Sequence, residues 1–187
     1  MTKDEKIAKL GKEITDRATV LLGKDKITPE SPEYLGINSA LKYTAYKYDQ
    51  KMADDILDIC LTMKKRVPLT IEQLAKKNPQ FDREYLEKAM QAVSESGLVE
   101  FHWENLDGKN PNHEKRWVLD MFVPGSAEIM MINPEQSDMY PETADFFERM
   151  AYLPLAGITE MVPPGGAGIG MHVIPVEKAI PAESKSL

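Results

Sequence analysis

Cysteine is almost absent from this chain of 187 residues, which limits the chemistry open to it. The single cysteine, Cys60, lies in an apolar helical pattern with Ile56 and Ile59. We expect a buried thiol, because disulfide frameworks and zinc sites need several cysteines. The sequence also has no signal-peptide pattern, and no apolar run approaches the roughly 18 residues of a membrane-spanning helix. These absences predict a cytoplasmic protein in a reducing compartment.

Positive charge is in the minority. Lys and Arg number 23 against 30 Asp and Glu, which gives a formal net charge of -7. This sign repels nucleic acid unless basic residues are gathered on one face, and no such cluster stands out. Hydrophobic residues at 42% and charged residues at 28% are ordinary for a folded domain. The length fits one domain with additions or one domain plus a smaller companion, and we favour the first.

Nucleotide-binding motifs are missing as well. The glycines within residues 163–170 fit G-x-G-x-G, but Met171 stands where the dinucleotide fingerprint requires glycine. Pro175 would block a following helix, and no Lys-Ser/Thr pair completes a P-loop. We expect this loop to be structural or an inter-domain contact. Phosphate binding, or a lid over a flavin or substrate site, is the alternative.

The histidines and carboxylates form no recognisable site. His102 and His113 flank one predicted loop, but zinc would need two further ligands, and His172 is distant in sequence. Glu142 and Asp145 stand at the start of a predicted helix, where negative charge favours the helix dipole. The sequence therefore predicts no catalytic, cofactor-binding or metal-binding residue in this chain.

Three helical patterns begin near the middle of the chain. The first covers about residues 49–65. Thr70 and Gln73 then match a capping box, which satisfies backbone donors at the start of a short second helix ending at Asn78. Asp82 is placed to cap the third helix, whose inward residues are Tyr85, Leu86, Ala89, Met90 and Val93.

Two strand patterns follow these helices. They cover residues 98–103 and 115–123 and are joined by a polar loop, residues 104–114, that contains Asp-Gly and Asn-Pro. Trp103 and Trp117, on facing strands, are expected to form a cross-strand aromatic pair. Three helices followed by a hairpin are typical of a winged helix-turn-helix.

The whole chain is therefore expected to be mainly α-helical with a small β-wing, an α+β protein. Residues 49–123 form its winged helix-turn-helix core. Residues 1–48 supply an amphipathic helix over 3–22, ending at Gly23, and then a packing loop with a short helix from Ser39.

A carboxyl-terminal extension covers residues 124–187. It is expected to hold a helix over about 141–153, with Ala144, Phe146, Phe147 and Ala151 inward. The Gly-rich loop at 163–170 and an extended segment at 171–176 then follow.

The third helix has the position of a DNA-recognition helix but an acidic surface. Its four carboxylates face only two cations, and Gln91 alone suits contact with a base edge. We therefore favour a surface that docks onto protein. The candidate interaction residues are Arg83, Glu84, Glu87, Lys88, Gln91, Lys109 and Lys115. The alternative is a DNA-binding regulator that forms a homodimer through residues 3–22.

Two segments resemble a known family. Residues 117–131 contain Trp-Val, Phe-Val-Pro-Gly and Glu-Ile-Met-Met, and residues 171–180 read Met-His-Val-Ile-Pro-Val-Glu-Lys-Ala-Ile. Both resemble the amino-terminal region of anaerobic iron–sulfur flavoproteins, large oxidoreductases of the pyridine-nucleotide-disulfide type with ferredoxin-like cluster domains. In that family a similar winged-helix region precedes a cysteine-rich domain. The resemblance implies an interaction module that serves redox domains in cis or a partner subunit in anaerobic electron transfer.

The chain departs from that family in its cysteine content. One cysteine cannot ligate a 4Fe–4S cluster in the family's manner. Cluster and FAD binding are then implied for a part of the protein beyond residue 187, and the chain is expected to be a fragment or a stand-alone relative. We expect no cofactor within the 187 residues themselves.

Overall fold

The described part of the chain contains eight α-helices and one two-stranded antiparallel sheet. The computed structural model describes residues 1–15, 26–105 and 108–151, all within one unit, Met1–Leu153. The helices are α1 Lys3–Ile14, α2 Pro32–Lys47, α3 Gln50–Cys60, α4 Ile71–Lys77, α5 Arg83–Glu95, α6 Ala127–Ile132, α7 Pro134–Met139 and α8 Glu142–Ala151. The strands are β1 Val99–His102 and β2 Arg116–Leu119, and a π-helical turn covers Phe122–Ser126. The expected mainly helical protein with a small β part is confirmed.

Helix α1 is shorter than its sequence pattern indicates. It starts at a capping box in which Thr2 and Glu5 exchange hydrogen bonds, and it ends at Ile14 because Thr15 is extended, with ψ at 135°. The expected continuous helix over 3–22 is therefore wrong, and residues 16–25 lie outside the described part. The buried residues Ile7, Leu10 and Ile14 pack α1 into the body of the protein, against α2 and α3.

Helix α2 corrects the expectation of a packing loop before residue 48. It runs for 16 residues, with Pro32 in the first turn, where proline costs no hydrogen bond. It contacts α1, α3, α5, α6, α7 and α8, so apolar residues are needed around most of its circumference. A helix buried on most sides shows no single apolar stripe, which is why the helical period is weak here.

Helix α3 begins where the sequence predicts and ends earlier. The carboxylate of Asp49 caps it by accepting a hydrogen bond from the backbone N–H of Met52 at 2.7 Å. The helix stops at Cys60 instead of near residue 65, because the chain then leaves to pair with β2. Lys65 forms a β-bridge with Leu119, and the N–H of Arg66 donates to the carbonyl of Leu119 at 2.8 Å.

The expected caps of α4 and α5 are confirmed. Thr70 and Gln73 make both bonds of the capping box, and Asn78 ends α4. The N–H of Tyr85 donates to Asp82 at 2.7 Å, which starts α5. The inward faces are also as expected, with Ile71 and Leu74 buried in α4 and Leu86, Ala89, Met90 and Val93 buried in α5.

The two strands are shorter than predicted, and Leu69 pairs with the free side of β2. Strand β1 pairs with β2 in a register that sets Phe101 opposite Trp117. Leu69 lies on the other side of β2 and exchanges two backbone hydrogen bonds with Trp117, at 2.8 and 2.9 Å. Residues 120–123 do not continue β2, because the chain turns so that Phe122 is fully buried. An added Cβ at Gly36 of α2 would lie 2.5 Å from the Phe122 ring, so glycine allows this contact.

The extension after residue 124 is helical as far as it is described. Helix α8 matches the predicted helix, and Phe146 is its buried aromatic residue, with Phe147 packed beside it. The apolar segment from Ala127 forms α6. The Gly-rich loop at 163–170 and the extended segment at 171–176 lie outside the described residues. None of the described helices has the combination of length and apolar character that crossing a bilayer requires.

Candidate interaction site

The exposed face of α5 carries a row of polar residues spaced by four. Arg83, Glu87 and Gln91 follow one another along the helix because residues four apart lie on the same side. Leu86 and Met90 point into the core and fix the rotation of the helix. Glu84 and Lys88 are exposed on a neighbouring row. The same burial that holds α5 in place therefore presents the first row to solvent.

Arg83 is neutralised within the protein. Its guanidinium lies 3.0 Å from the carboxylate of Glu72 on α4 and 3.6 Å from that of Glu87 on α5. The three side chains are each more than half exposed, so the pairs contribute little to stability. They do reduce the positive charge that Arg83 offers to a ligand.

One face of the sheet forms an aromatic platform beside α5. Phe101 and Trp117 are directly opposite each other, with ring centroids 5.4 Å apart in an edge-to-face arrangement. Trp103, two residues beyond Phe101, lies on the same face with its centroid 5.7 Å from the Phe101 ring. The expected pair of Trp103 and Trp117 is therefore wrong as a direct cross-strand pair. Phe101, Trp103, Trp117 and the nearby Lys115 are called the aromatic face below.

Lys115 connects this aromatic face to α5. Its ammonium group lies 4.0 Å from the centroid of Phe101 and 4.3 Å from that of Trp117. It also donates a hydrogen bond to the side-chain carbonyl oxygen of Gln91 at 3.2 Å. The ammonium is thus attracted by two ring faces and one amide, contacts typical of cation–π recognition.

An open groove runs between α4, α5 and the sheet. Its volume is about 590 Å³, and Ile71 and Trp117 are the buried apolar residues in its lining. Its charged residues are two cations and three carboxylates, a net of -1. The lining residues are Thr70, Ile71, Glu72, Arg83, Glu87, Gln91, Glu114, Lys115 and Trp117.

The loop between β1 and β2 is organised by Asn110, which is only 2% exposed. Its side-chain amide donates to the carbonyl of Trp103 at 3.1 Å and to that of Glu114 at 2.9 Å. Its side-chain oxygen accepts a hydrogen bond from the N–H of Glu114 at 3.0 Å. Asn110 thereby joins the two sides of the loop and sets the position of Glu114 at the groove.

The candidate interaction residues divide into two groups. Arg83, Glu87, Gln91 and Lys115 meet at the groove. Glu84, Lys88 and Lys109 do not line it. Lys109 lies in the β1–β2 loop, and its carbonyl accepts a hydrogen bond from Arg116 of β2 at 2.6 Å.

Sequence reasoning missed several residues that build this site. The sequence predicts the ranges of the two strands but not their register. The pairing of Phe101 with Trp117 depends on that register, so the sequence does not indicate Phe101 as a site residue. Glu72, two residues after the capping threonine of α4, lies on a different helix from the acidic residues of α5. Alternation along β1 was the available signal, since it sets Phe101 and Trp103 on one face.

The histidines of the β1–β2 region do not meet at a metal site. The Nδ1 atom of His113 lies 3.1 Å from the carbonyl oxygen of Trp103, while that of His102 lies 3.8 Å from a carboxylate oxygen of Glu104. Within the described ranges, no three His, Cys, Asp or Glu side chains are grouped to hold a metal ion. His172 lies outside those ranges.

Cys60 is buried, as expected. It is fully enclosed in α3, and this burial raises the pKa of its thiol to about 12. A thiol with so high a pKa is almost entirely protonated near neutral pH, so Cys60 is not an active nucleophile.

Glu100 of β1 is a partly buried carboxyl group with a shifted pKa. Burial raises the pKa of its carboxyl group, and the negative charge of Asp120 raises it further. Asp120 is itself 3.4 Å from the guanidinium of Arg66. Glu100 alternates with Phe101 along β1 and so lies on the opposite face of the sheet from the aromatic face. It is therefore separate from the groove.

Comparisons with known proteins add no further constraint on this site. No protein-family profile, curated protein or solved structure matches the chain. The groove and the aromatic face must therefore be interpreted from their own chemistry.

Proposed function

We propose that residues 49–123 form a winged helix-turn-helix that binds protein. The order of α3, α4, α5 and the β1–β2 hairpin supports this fold assignment. Leu69 adds a short third strand position beside β2, at the point where the chain passes from α3 to α4. The loop between β1 and β2 would then be the wing, and α5 would occupy the position of the recognition helix.

The main support for this proposal is that both cations in the groove lining, Arg83 and Lys115, already have partners within the protein. A DNA-binding surface needs cations that are available to phosphate. Arg83 is instead held by two carboxylates, and Lys115 is held by Gln91 and two aromatic rings. With Glu114, the groove lining has three carboxylates against these two cations, a net charge of -1. This arrangement repels a polyanion and suits a protein partner that carries positive charge.

The family resemblance suggests which protein partner the module serves. We propose that it docks onto the redox domains of an iron–sulfur flavoprotein, in cis or in a partner subunit. Flavin and 4Fe–4S chemistry would belong to those domains. Cys60 is buried in α3 and has no role in ligating a cluster in this proposal.

A binding experiment with DNA tests the central claim. We expect no change in fluorescence anisotropy when the protein is added to a labelled duplex of mixed sequence at low salt. Salt-dependent binding that is lost on combined charge reversal of Arg83, Lys88 and Lys115 would contradict the proposal. It would instead support a DNA-binding regulator, the alternative favoured by the element order alone.

The regulator alternative also needs a dimer contact. The apolar stripe of α1, with Ile7, Leu10 and Ile14, is already buried within the chain. A homodimer built on this part of residues 3–22 would have to expose that stripe first. Sedimentation of the protein at increasing concentration measures this property directly.

A second experiment addresses the redox partner. A purified iron–sulfur flavoprotein of the resembled family is titrated with the protein by calorimetry. We expect a complex that Glu87→Lys weakens and that Glu148→Lys, a charge reversal at an exposed position of α8, leaves unchanged. Equal affinity for both variants would contradict docking through the groove. The purified chain is expected to show no flavin absorbance, so tight flavin binding would oppose the non-catalytic assignment.

A further inference from the structure

The aromatic face already holds a positive charge. The Lys115 ammonium lies within about 4 Å of the ring centroids of both Phe101 and Trp117, well inside the ~6 Å range of a cation–π contact. Trp103 extends the same face and is 51% exposed, so part of the aromatic surface remains open to solvent. The site is therefore built to attract a cation, and its present occupant comes from the chain itself.

The surroundings of this site favour a second cation. Glu87 lies on the α5 side of the groove and Glu114 at the end of the β1–β2 loop, beside Lys115. Two hydrogen bonds from the Glu114 backbone to the Asn110 side chain hold Glu114 in the lining of the groove. A guanidinium or ammonium group entering here would meet carboxylates as well as ring faces.

Another cation can displace the Lys115 ammonium from the aromatic rings, because Lys115 is held only weakly. It is an exposed residue on a long flexible stem, and one hydrogen bond to Gln91 joins it to α5. If it moved into solvent, its own charge would be rehydrated at little cost. The groove would then contain Arg83 against three carboxylates, a net charge of -2.

We propose that the groove binds a lysine or arginine side chain from an extended segment of the protein partner, and that Lys115 occupies this cation position in the free protein. The inference rests on the proposed function and specifies the chemistry of the docking site. The partner's side chain takes the place of the Lys115 ammonium over the rings of Phe101 and Trp117, while Glu87 and Glu114 neutralise its charge. Apolar groups beside it cover Ile71 in the lining of the groove.

Tryptophan fluorescence provides a direct measurement, because both tryptophans of the chain belong to the aromatic face. The probe is a blocked hexapeptide with one central arginine between leucine and serine residues. The matched peptide carries citrulline at that position, which keeps the shape and removes the charge. We expect the arginine peptide to change the fluorescence saturably, and the citrulline peptide to have little effect.

Substitution of Lys115 distinguishes binding of a cationic peptide, which should become tighter, from binding of DNA, which should become weaker. Lys115→Met removes the competing ammonium and keeps an apolar side chain, so we expect it to tighten binding of the arginine peptide about fivefold, or roughly 1 kcal/mol. Lys88→Met removes the same charge from α5 outside the groove lining. This substitution should tighten peptide binding less than twofold, because the Lys88 charge lies outside the groove lining and is screened by solvent and salt. Equal effects of the two substitutions would overturn the assigned role of Lys115.

A second variant tests the aromatic contact without removing either tryptophan. Phe101→Leu keeps an apolar side chain and should weaken the arginine peptide about fivefold. Circular dichroism checks that the variant remains folded. Unchanged affinity in folded Phe101→Leu, or no fluorescence response to the arginine peptide, would overturn this inference. Duplex DNA that binds and is released by Lys115→Met would instead overturn the proposed docking function.

Discussion

Tyrosine hydroxyl groups link separate helices through carboxylates. Tyr34 of α2 donates to Asp4 of α1 at 2.7 Å, and Tyr43 of α2 donates to Glu135 of α7 at 2.9 Å. Tyr48, at the end of α2, donates to Glu95 of α5 at 2.9 Å. Hydrogen bonds to charged acceptors are stronger than those between neutral groups, so these bonds help to fix the helices around α2.

The bond between Tyr34 and Asp4 predicts a pH dependence. Burial, together with the Asp4 carboxylate, raises the pKa of Tyr34 to about 12, above its value of about 10 in the unfolded chain. The folded protein therefore favours the neutral phenol. Its contribution to the free energy of unfolding is complete below about pH 10 and is lost as the pH rises through about 12.

Urea denaturation of Tyr34→Phe tests this contribution. At about pH 8 the variant should be less stable by about 1 kcal/mol, because one hydrogen bond is lost. The difference from the wild type should narrow at about pH 11, because the Tyr34 phenol of the unfolded chain, with its lower pKa, is then ionised while that of the folded protein is mostly neutral. Tyr46→Phe is the control, since Tyr46 is 58% exposed. A constant difference at both pH values would exclude the assigned linkage.

At the scale of elements, local chemistry explains why some boundaries were predictable. The starts of α3, α4 and α5 depend on side chains within three residues of the helix end, at Asp49, Thr70 and Asp82. Their positions are therefore visible in the sequence. The end of α3 and the end of β2 depend instead on distant residues, Leu119 and Gly36, and both predictions extended too far.

The turn after α5 gives a prediction about glycine. Gly97 has φ at +76°, and an added Cβ would lie 2.8 Å from the backbone nitrogen of Met130. Gly108 has a similar φ of +71°, but an added Cβ there would meet nothing within 4 Å. Alanine at Gly108 should therefore cost only the unfavourable backbone conformation, roughly 1–2 kcal/mol.

Gly97→Ala should cost about 2 kcal/mol more than Gly108→Ala, because α6 would have to shift as well. The midpoint of urea denaturation at constant m-value measures both costs. Similar losses in the two variants would indicate that the contact between the turn and α6 is not tight.

For the whole molecule, α1 is part of the core and not an appendage. Ile7 is 1% exposed and lies in a cluster that also contains residues of α2 and α3. Ile7→Ala should therefore destabilise the protein by about 2–5 kcal/mol through lost burial and a cavity. Lys9→Ala, at an exposed position of the same helix, should change the free energy of unfolding by less than about 0.5 kcal/mol. Comparable, small effects would show that α1 is only loosely attached.

The groove also belongs to this larger scale. It is formed by α4, by α5 and by the start of β2 with the loop residues before it, and Leu74, Leu86 and Trp117 anchor the two helices and the strand in one core. The sequence identified Arg83, Glu87, Gln91 and Lys115 as surface residues of interest. It did not indicate that the Lys115 side chain would bond to Gln91 of α5, or that its ammonium group would lie over the Phe101 ring.

The sequence by itself determined the features that depend on neighbours along the chain. These are the helix starts with their caps, the inward faces of α4 and α5, the burial of Cys60 and the excess of negative charge. Tertiary structure alone decided that α2 is a central helix, that Phe101 faces Trp117, and that both groove cations are engaged internally. Helix periodicity and capping act over a few residues, whereas register, burial on several sides and charge pairing depend on which distant segments the fold brings together.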